Sequence, residues 1–163
     1  IYNYKEEGLL TCAPAQGCFL KRWEVDLGVI DDVKSILAKD KALAEKFFKL
    51  TASNPNNVDL KSVFIAGRAG DPVARFALDK AAKRLGTRIA YIVNLLNPEV
   101  VVIGGGLDEA GEGFLNKVSL TVKDWGFREA TEDLRIVYSQ LRDNAVAIGA
   151  ASLVTQRVFA KLL

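Results

Sequence analysis

Histidine is missing from all 163 residues, which rules out every mechanism that needs a histidine base or a histidine metal ligand on this chain. Methionine is missing as well, position 1 included, so the expectation is a fragment or a trimmed chain. Cysteine occurs twice, at Cys12 and Cys18, too rarely to staple a secreted fold of this size. A reducing cytoplasm is the default compartment. No apolar run approaches the roughly 20 residues of a membrane span. The opening residues, Ile1-Tyr2-Asn3-Tyr4-Lys5-Glu6-Glu7, are polar and mixed in charge, unlike a signal peptide. Charge of one sign is also lacking: 22 basic against 20 acidic residues leave a net +2. Such a balance gives no reason to expect a nucleic-acid or anionic membrane surface.

What is present is a globular composition. Half the residues are hydrophobic and 26% are charged, in a chain long enough to bury a core as one domain. Residues 1–30 are ambiguous, with one short alternating run, Trp23-Glu24-Val25-Asp26-Leu27. Asp31-Asp32 predicts a helix cap, with the helix running to about Leu37. Lys41 to Leu50 carries Leu43, Phe47 and Leu50 at helical spacing. Ser53-Asn54-Pro55-Asn56-Asn57 is a loop, followed by a short helix from Leu60 to about Ala66.

The clearest element starts at Asp71-Pro72, an N-cap with proline in the first helical position. Ala74, Ala77, Leu78, Ala81, Leu85, Ile89, Ile92 and Leu96 then recur at spacings of three and four. Lys80, Lys83, Arg84 and Arg88 lie on other faces and read as a solvated side. Asn97-Pro98 stops this helix. Glu99 to Ile103 is β-branched and apolar without alternation, the pattern of a buried parallel strand covered on both faces. Asp108 is expected to cap a helix through about Lys123. Leu134 to Ser139 reads as a second strand and Asn144 to about Lys161 as a final helix. In that helix Gly149, Ala150 and Ala151 would allow close approach to the sheet. Trp23 and Trp125 read as partly buried packing groups. The order of elements predicts an α/β layer, helices packed on a partly parallel sheet.

Gly104, Gly105 and Gly106 follow the first strand. Ligands of open α/β sheets sit beyond the carboxyl ends of strands. Three residues without Cβ there let a flat base or a phosphate approach the backbone, and the next helix would present unpaired N–H groups. A tight turn without a ligand needs only one glycine. The dinucleotide fingerprint fails: counted from Gly104 its third glycine falls on Glu109, and counted from Gly111 and Gly113 it falls on Asn116. The Walker lysine pattern is absent.

The string Asn94-Leu95-Leu96-Asn97-Pro98-Glu99-Val100-Val101-Val102-Ile103-Gly104-Gly105-Gly106 resembles the adenosine-motif strand and turn of the ROK family (repressors, open reading frames, kinases). Ala69-Gly70-Asp71-Pro72 resembles the family's opening of the preceding helix. Asp143-Asn144-Ala145-Val146-Ala147-Ile148-Gly149-Ala150-Ala151 resembles the opening of its last helix. The match is good over residues 66–163 and poor over residues 1–60. The resemblance implies a ribonuclease H-like (actin/hexokinase-type) lobe, with residues 1–163 forming one domain, the C-terminal lobe. It also implies ATP with magnesium as cofactors and a small sugar, a hexose or N-acyl hexosamine, as acceptor. A homodimer is implied, while the few cysteines and the balanced charge lead to the expectation of a cytoplasmic chain without direct contact to nucleic acid. Gly104, Gly105 and Gly106 would contact the nucleotide, and Asp143 reads as a cap.

Other family parts are missing from the sequence. No D-x-G-G-T phosphate loop occurs, so an N-terminal lobe with its catalytic Asp is not on this chain, and no catalytic residue is named. The family's zinc motif, C-x-C-G-x-x-G-C with a Glu two residues on, fits only at Gly17-Cys18. Thr11 and Ala13 occupy its other cysteine positions, Leu20 its Glu position, and Cys12 falls between. No metal site is expected. Alternative readings are the sugar-sensing domain of a repressor without kinase activity, and an interaction domain that kept the fold without the chemistry.

Overall fold

The computed structural model describes residues 28–141 and 144–159. Helix α1 spans Val29–Leu37, α2 Lys41–Thr51, α3 Leu60–Arg68 and α4 Pro72–Leu96. Strand β1 follows at Val100–Ile103, then α5 at Glu112–Trp125, the single turn α6 at Arg128–Thr131, β2 at Arg135–Tyr138, and α7 at Ala145–Phe159.

Local chemistry sets most boundaries. Asp40 caps α2 by accepting from the N–H groups of Ala42 and Leu43. Asp59 and Ser62 form a reciprocal capping box on α3, at 2.8 and 3.0 Å. Asp71 caps α4 through Oδ1, at 3.0 and 2.9 Å from the N–H groups of Val73 and Ala74. Its Oδ2 is buried without a hydrogen-bond partner among the described residues. Asn97, in the left-handed region at φ 46°, ends α4. The Asp31-Asp32 cap is not observed: Gly28 is the N-cap of α1, and the two carboxylates sit in its first turn, where the helix's positive end favours them.

Helix α4 is the spine. Val73, Ala74, Ala77, Ala81, Ala82, Ile89, Ala90 and Val93 form its buried stripe. On one side it packs against α5, whose Val118 and Val122 are wholly buried. The axes approach closely because position 86 is glycine: a Cβ there would come 2.5 Å from Thr121 Cβ and 2.9 Å from the Val118 carbonyl oxygen. On another side α1 inserts Val29, Val33 and Leu37. Asp32 reaches from α1 to Lys80 at 2.8 Å and Arg84 at 3.4 Å. The basic face is therefore not uniformly solvated. Arg84 is half-buried beside Asp32, and burial, with the Arg84 charge next to it, holds Arg88 below the ordinary guanidinium range.

Strands β1 and β2 are parallel, with Val100 opposite Arg135 and Ile103 opposite Tyr138. The crossover between them is α5 and α6, as a parallel pair requires. Three expectations change here. Strand β1 is not covered on both faces: Ile103 is buried, but Val102 is 60% exposed among the described residues. Trp125, the last residue of α5, is exposed. The final helix does not bring its small residues to the sheet. Among the described residues, every one from Val146 to Val158 is exposed, and a Cβ on Gly149 would meet nothing within 4 Å.

Candidate functional site

Parallel pairing aligns the carboxyl ends of both strands. Ser139 N–H donates to the Ile103 carbonyl at 2.7 Å, and a Cβ on Gly104 would lie 3.4 Å from Ser139 Cβ. Gly105 and Gly106 then turn the chain with φ of 71° and 85°, a region that side chains with a Cβ rarely adopt. The fold thus accounts for two of the three glycines, through backbone conformation at 105 and 106, whereas a Cβ at 104 would make ordinary contact with Ser139. One glycine would not have sufficed. What bears on a ligand is the space outside: among the described residues, a Cβ on Gly105 or Gly106 would meet no atom within 4 Å.

Beyond the turn the chain does not enter a helix at Asp108. Leu107–Glu109 forms a single 3-10 turn, and α5 begins at Glu112 with Gly111 as N-cap. Gly111 has φ 86°, and no side chain caps the helix. Tyr138 fixes this end by donating its hydroxyl to the Gly111 carbonyl at 2.8 Å, joining β2 to the start of α5. The uncapped end presents N–H groups and the positive end of the helix dipole.

A cavity of about 540 Å³ opens beside this terminus. Its walls are the end of α3 (Phe64, Gly67, Arg68), the first two turns of α4 (Arg75, Leu78, Asp79) and the stretch Ala110 to Phe114 with Lys117. Phe64 and Phe114 are buried and form an apolar floor. Arg68 donates to the Glu109 carbonyl at 3.3 Å, tying α3 to the 3-10 turn, and Lys117 pairs with Asp79. Such a space, apolar below with cations and a helix terminus at the rim, suits a flat ring attached to an anion. Among the described residues no group of three or more metal-ligating side chains occurs.

Sequence reasoning identified the glycine turn but missed the cavity. Arg68, Arg75, Asp79 and Lys117 belong to three different helices, and no local motif links them to that turn. Gly111 and Gly113 were weighed only against the dinucleotide fingerprint, although two glycines at a helix start were a signal of open space. Asp143, Cys12, Cys18 and Trp23 lie outside the described residues.

The geometry defines an α/β lobe with a glycine turn and a cavity at the carboxyl ends of its parallel strands. Comparison with known proteins gives this class a family. The ROK family model matches residues 35–157. The glucokinase of Thermotoga maritima is 30% identical over 138 residues, which is 80% of this chain and 44% of that protein. The xylose repressor of Caldicellulosiruptor bescii is 32% identical over 101 residues, 62% of this chain and 25% of that one. A solved ROK family glucokinase from Streptomyces griseus, in complex with glucose and AMPPNP, aligns with a TM-score of 0.66 and 25% identity, covering 77% of this chain and 40% of its own. The chain belongs to the ROK family. Its fold is the ribonuclease H-like, helix-covered and partly parallel type expected from the sequence. It spans less than half the length of these relatives.

Proposed function

We propose that this chain is the C-terminal lobe, as one domain, of an ATP-dependent sugar kinase, contributing the adenosine and phosphate side of the cleft. The observation that carries this reading is the open space over Gly105 and Gly106, beside a cavity whose rim is the uncapped start of α5. The nucleotide's base and ribose enter the cavity over Phe64 and Phe114. Its phosphates extend past Gly104, Gly105 and Gly106, with Arg68 and Arg75 supplying positive charge. The glucokinase of Streptomyces griseus, solved with glucose and AMPPNP, supports the choice of ligand.

Magnesium arrives with the nucleotide, held by its phosphates as is usual for this ion. The acceptor is a hexose or N-acyl hexosamine. Phosphoryl transfer needs the acceptor hydroxyl in line with the γ-phosphate and near a base. The family resemblance puts that base in an N-terminal lobe, so this lobe binds and orients the donor. The working protein is a cytoplasmic homodimer, without direct nucleic-acid contact by this chain.

Thermal unfolding with Mg-ATP tests the reading. Ligand at about ten times Kd adds roughly 1.4 kcal/mol, a rise of about 3–5 °C. Gly105→Val should abolish the rise, at the expense of backbone strain. Gly113→Val should abolish it without that strain, since position 113 has an ordinary φ and open space around it. A rise that persists in both variants rejects the site.

The similarity to the xylose repressor favours a second reading, a sugar-sensing domain without kinase activity. The full-length protein would then bind operator DNA in a sugar-dependent way and turn over no ATP.

A further inference from the structure

Two carboxylates line the cavity between α3, α4 and α5, those of Asp79 and Glu112. Asp79 pairs with Lys117. Glu112 has no counter-ion: the other ion pairs among the described residues join Asp32 to Lys80 and Arg84.

Glu112 is the first residue of α5. It stands between Gly111 and Gly113, and among the described residues a Cβ at either position would meet no atom within 4 Å. Backbone acceptors on the way into this helix are already engaged. The Gly106 carbonyl accepts from Glu109 N–H, the Leu107 carbonyl from Ala110 N–H, the Glu109 carbonyl from Arg68 and the Gly111 carbonyl from the Tyr138 hydroxyl. That leaves the Glu112 carboxylate as the strong acceptor of this rim, able to take two donors at once.

Its charge decides which part of a nucleotide can lie there. A carboxylate in the first turn offsets the positive end of the helix, and it repels a phosphate brought close to it. The ribose is uncharged and carries neighbouring 2′ and 3′ hydroxyl donors, which match the two oxygens of one carboxylate. With the base over Phe64 and Phe114 and the phosphates past Gly104 to Gly106, the ribose is the part between.

We propose that Glu112 accepts both ribose hydroxyls. It thereby selects ribonucleotides over deoxyribonucleotides and turns the phosphates away from α5, towards Arg68 and Arg75. The inference rests on the nucleotide reading of the cavity and adds which part of the ligand meets the helix.

Calorimetric titration of the chain with the magnesium complexes of ATP, 2′-deoxy-ATP and 3′-deoxy-ATP tests it. Each missing hydroxyl should weaken binding by about tenfold. Glu112→Ala should weaken ATP by about as much, leave both deoxynucleotides binding as tightly as they do to the parent, and so abolish the discrimination. Glu112→Gln keeps one acceptor oxygen and should fall between, and it serves if the alanine variant folds poorly. Equal binding of all three nucleotides to the parent would overturn the proposal while leaving the nucleotide reading in place. Discrimination that survives both variants would overturn it too, by assigning the ribose to another group. Equal weakening of all three by Glu112→Ala would put Glu112 at the magnesium and phosphates instead. A parent that binds none of the three would overturn the nucleotide reading and this proposal together.

Discussion

At single residues, the decisive quantity is how much room a side chain has. Gly86 lies inside α4, where alanine would ordinarily stabilise a helix by about 1 kcal/mol. Its Cβ would overlap Thr121 Cβ at 2.5 Å, and the second clash, with the Val118 carbonyl, is with backbone that cannot swing away. Overpacking of this kind costs roughly 1–3 kcal/mol, so the clash wins. Gly86→Ala should lower the stability read from urea unfolding, and an unchanged or raised midpoint would contradict the close α4–α5 approach. Asp59 supplies a pH dependence. The N–H and hydroxyl of Ser62 hold its carboxyl below the ordinary value of 3.8. A depressed carboxylate contributes stability that is present above its unfolded pKa and is lost as pH falls through the folded value. Stability should therefore decline below about pH 4, and Asp59→Asn should flatten that part of the profile. A profile unaltered by the substitution would show the capping box to be silent.

Among the elements, legibility followed the range of the interactions that set them. Helices α2, α3 and α4 have their caps in adjacent residues, so their starts near Lys41, Leu60 and Pro72 were legible locally, although only Asp71-Pro72 was read as a cap and Asp40 and Asp59 were missed. The start of α5 could not, because the residue that fixes it is Tyr138 on β2, donating to the Gly111 carbonyl from across the crossover. The exposure of Val102 was equally unreadable: an apolar run states what a strand prefers to touch, not what lies beside it. Asn94 is another nonlocal device. Its side-chain amide donates to the Trp125 carbonyl at 3.3 Å, and its carbonyl oxygen accepts from Phe127 N–H at 2.7 Å. It thereby clamps the α5–α6 corner onto α4. Asn94→Ala should cost about 1–2 kcal/mol for two hydrogen bonds, one of them short. Hydrogen exchange should speed up at Phe127, while the amides of α1 stay as they were. Uniformly faster exchange would mean that Asn94 supports the whole fold rather than one corner.

For the whole molecule, the glycine turn was legible because glycine is favoured where the backbone takes φ of 71° and 85°. The cavity was not, since it is a space between α3, α4 and α5 and belongs to no single segment. Position in the fold joins the two. Both lie at the carboxyl side of the sheet, and a family relative of about twice this length has been solved with glucose and AMPPNP. A photoreactive ATP carrying an azide on its adenine reads out where the base lies. Irradiated with the chain and magnesium, it should label the peptides of residues 64–79 and 110–117, with unlabelled ATP competing. Labelling confined to α1, α2 or α7 would contradict the assignment of the cavity, whatever the affinity.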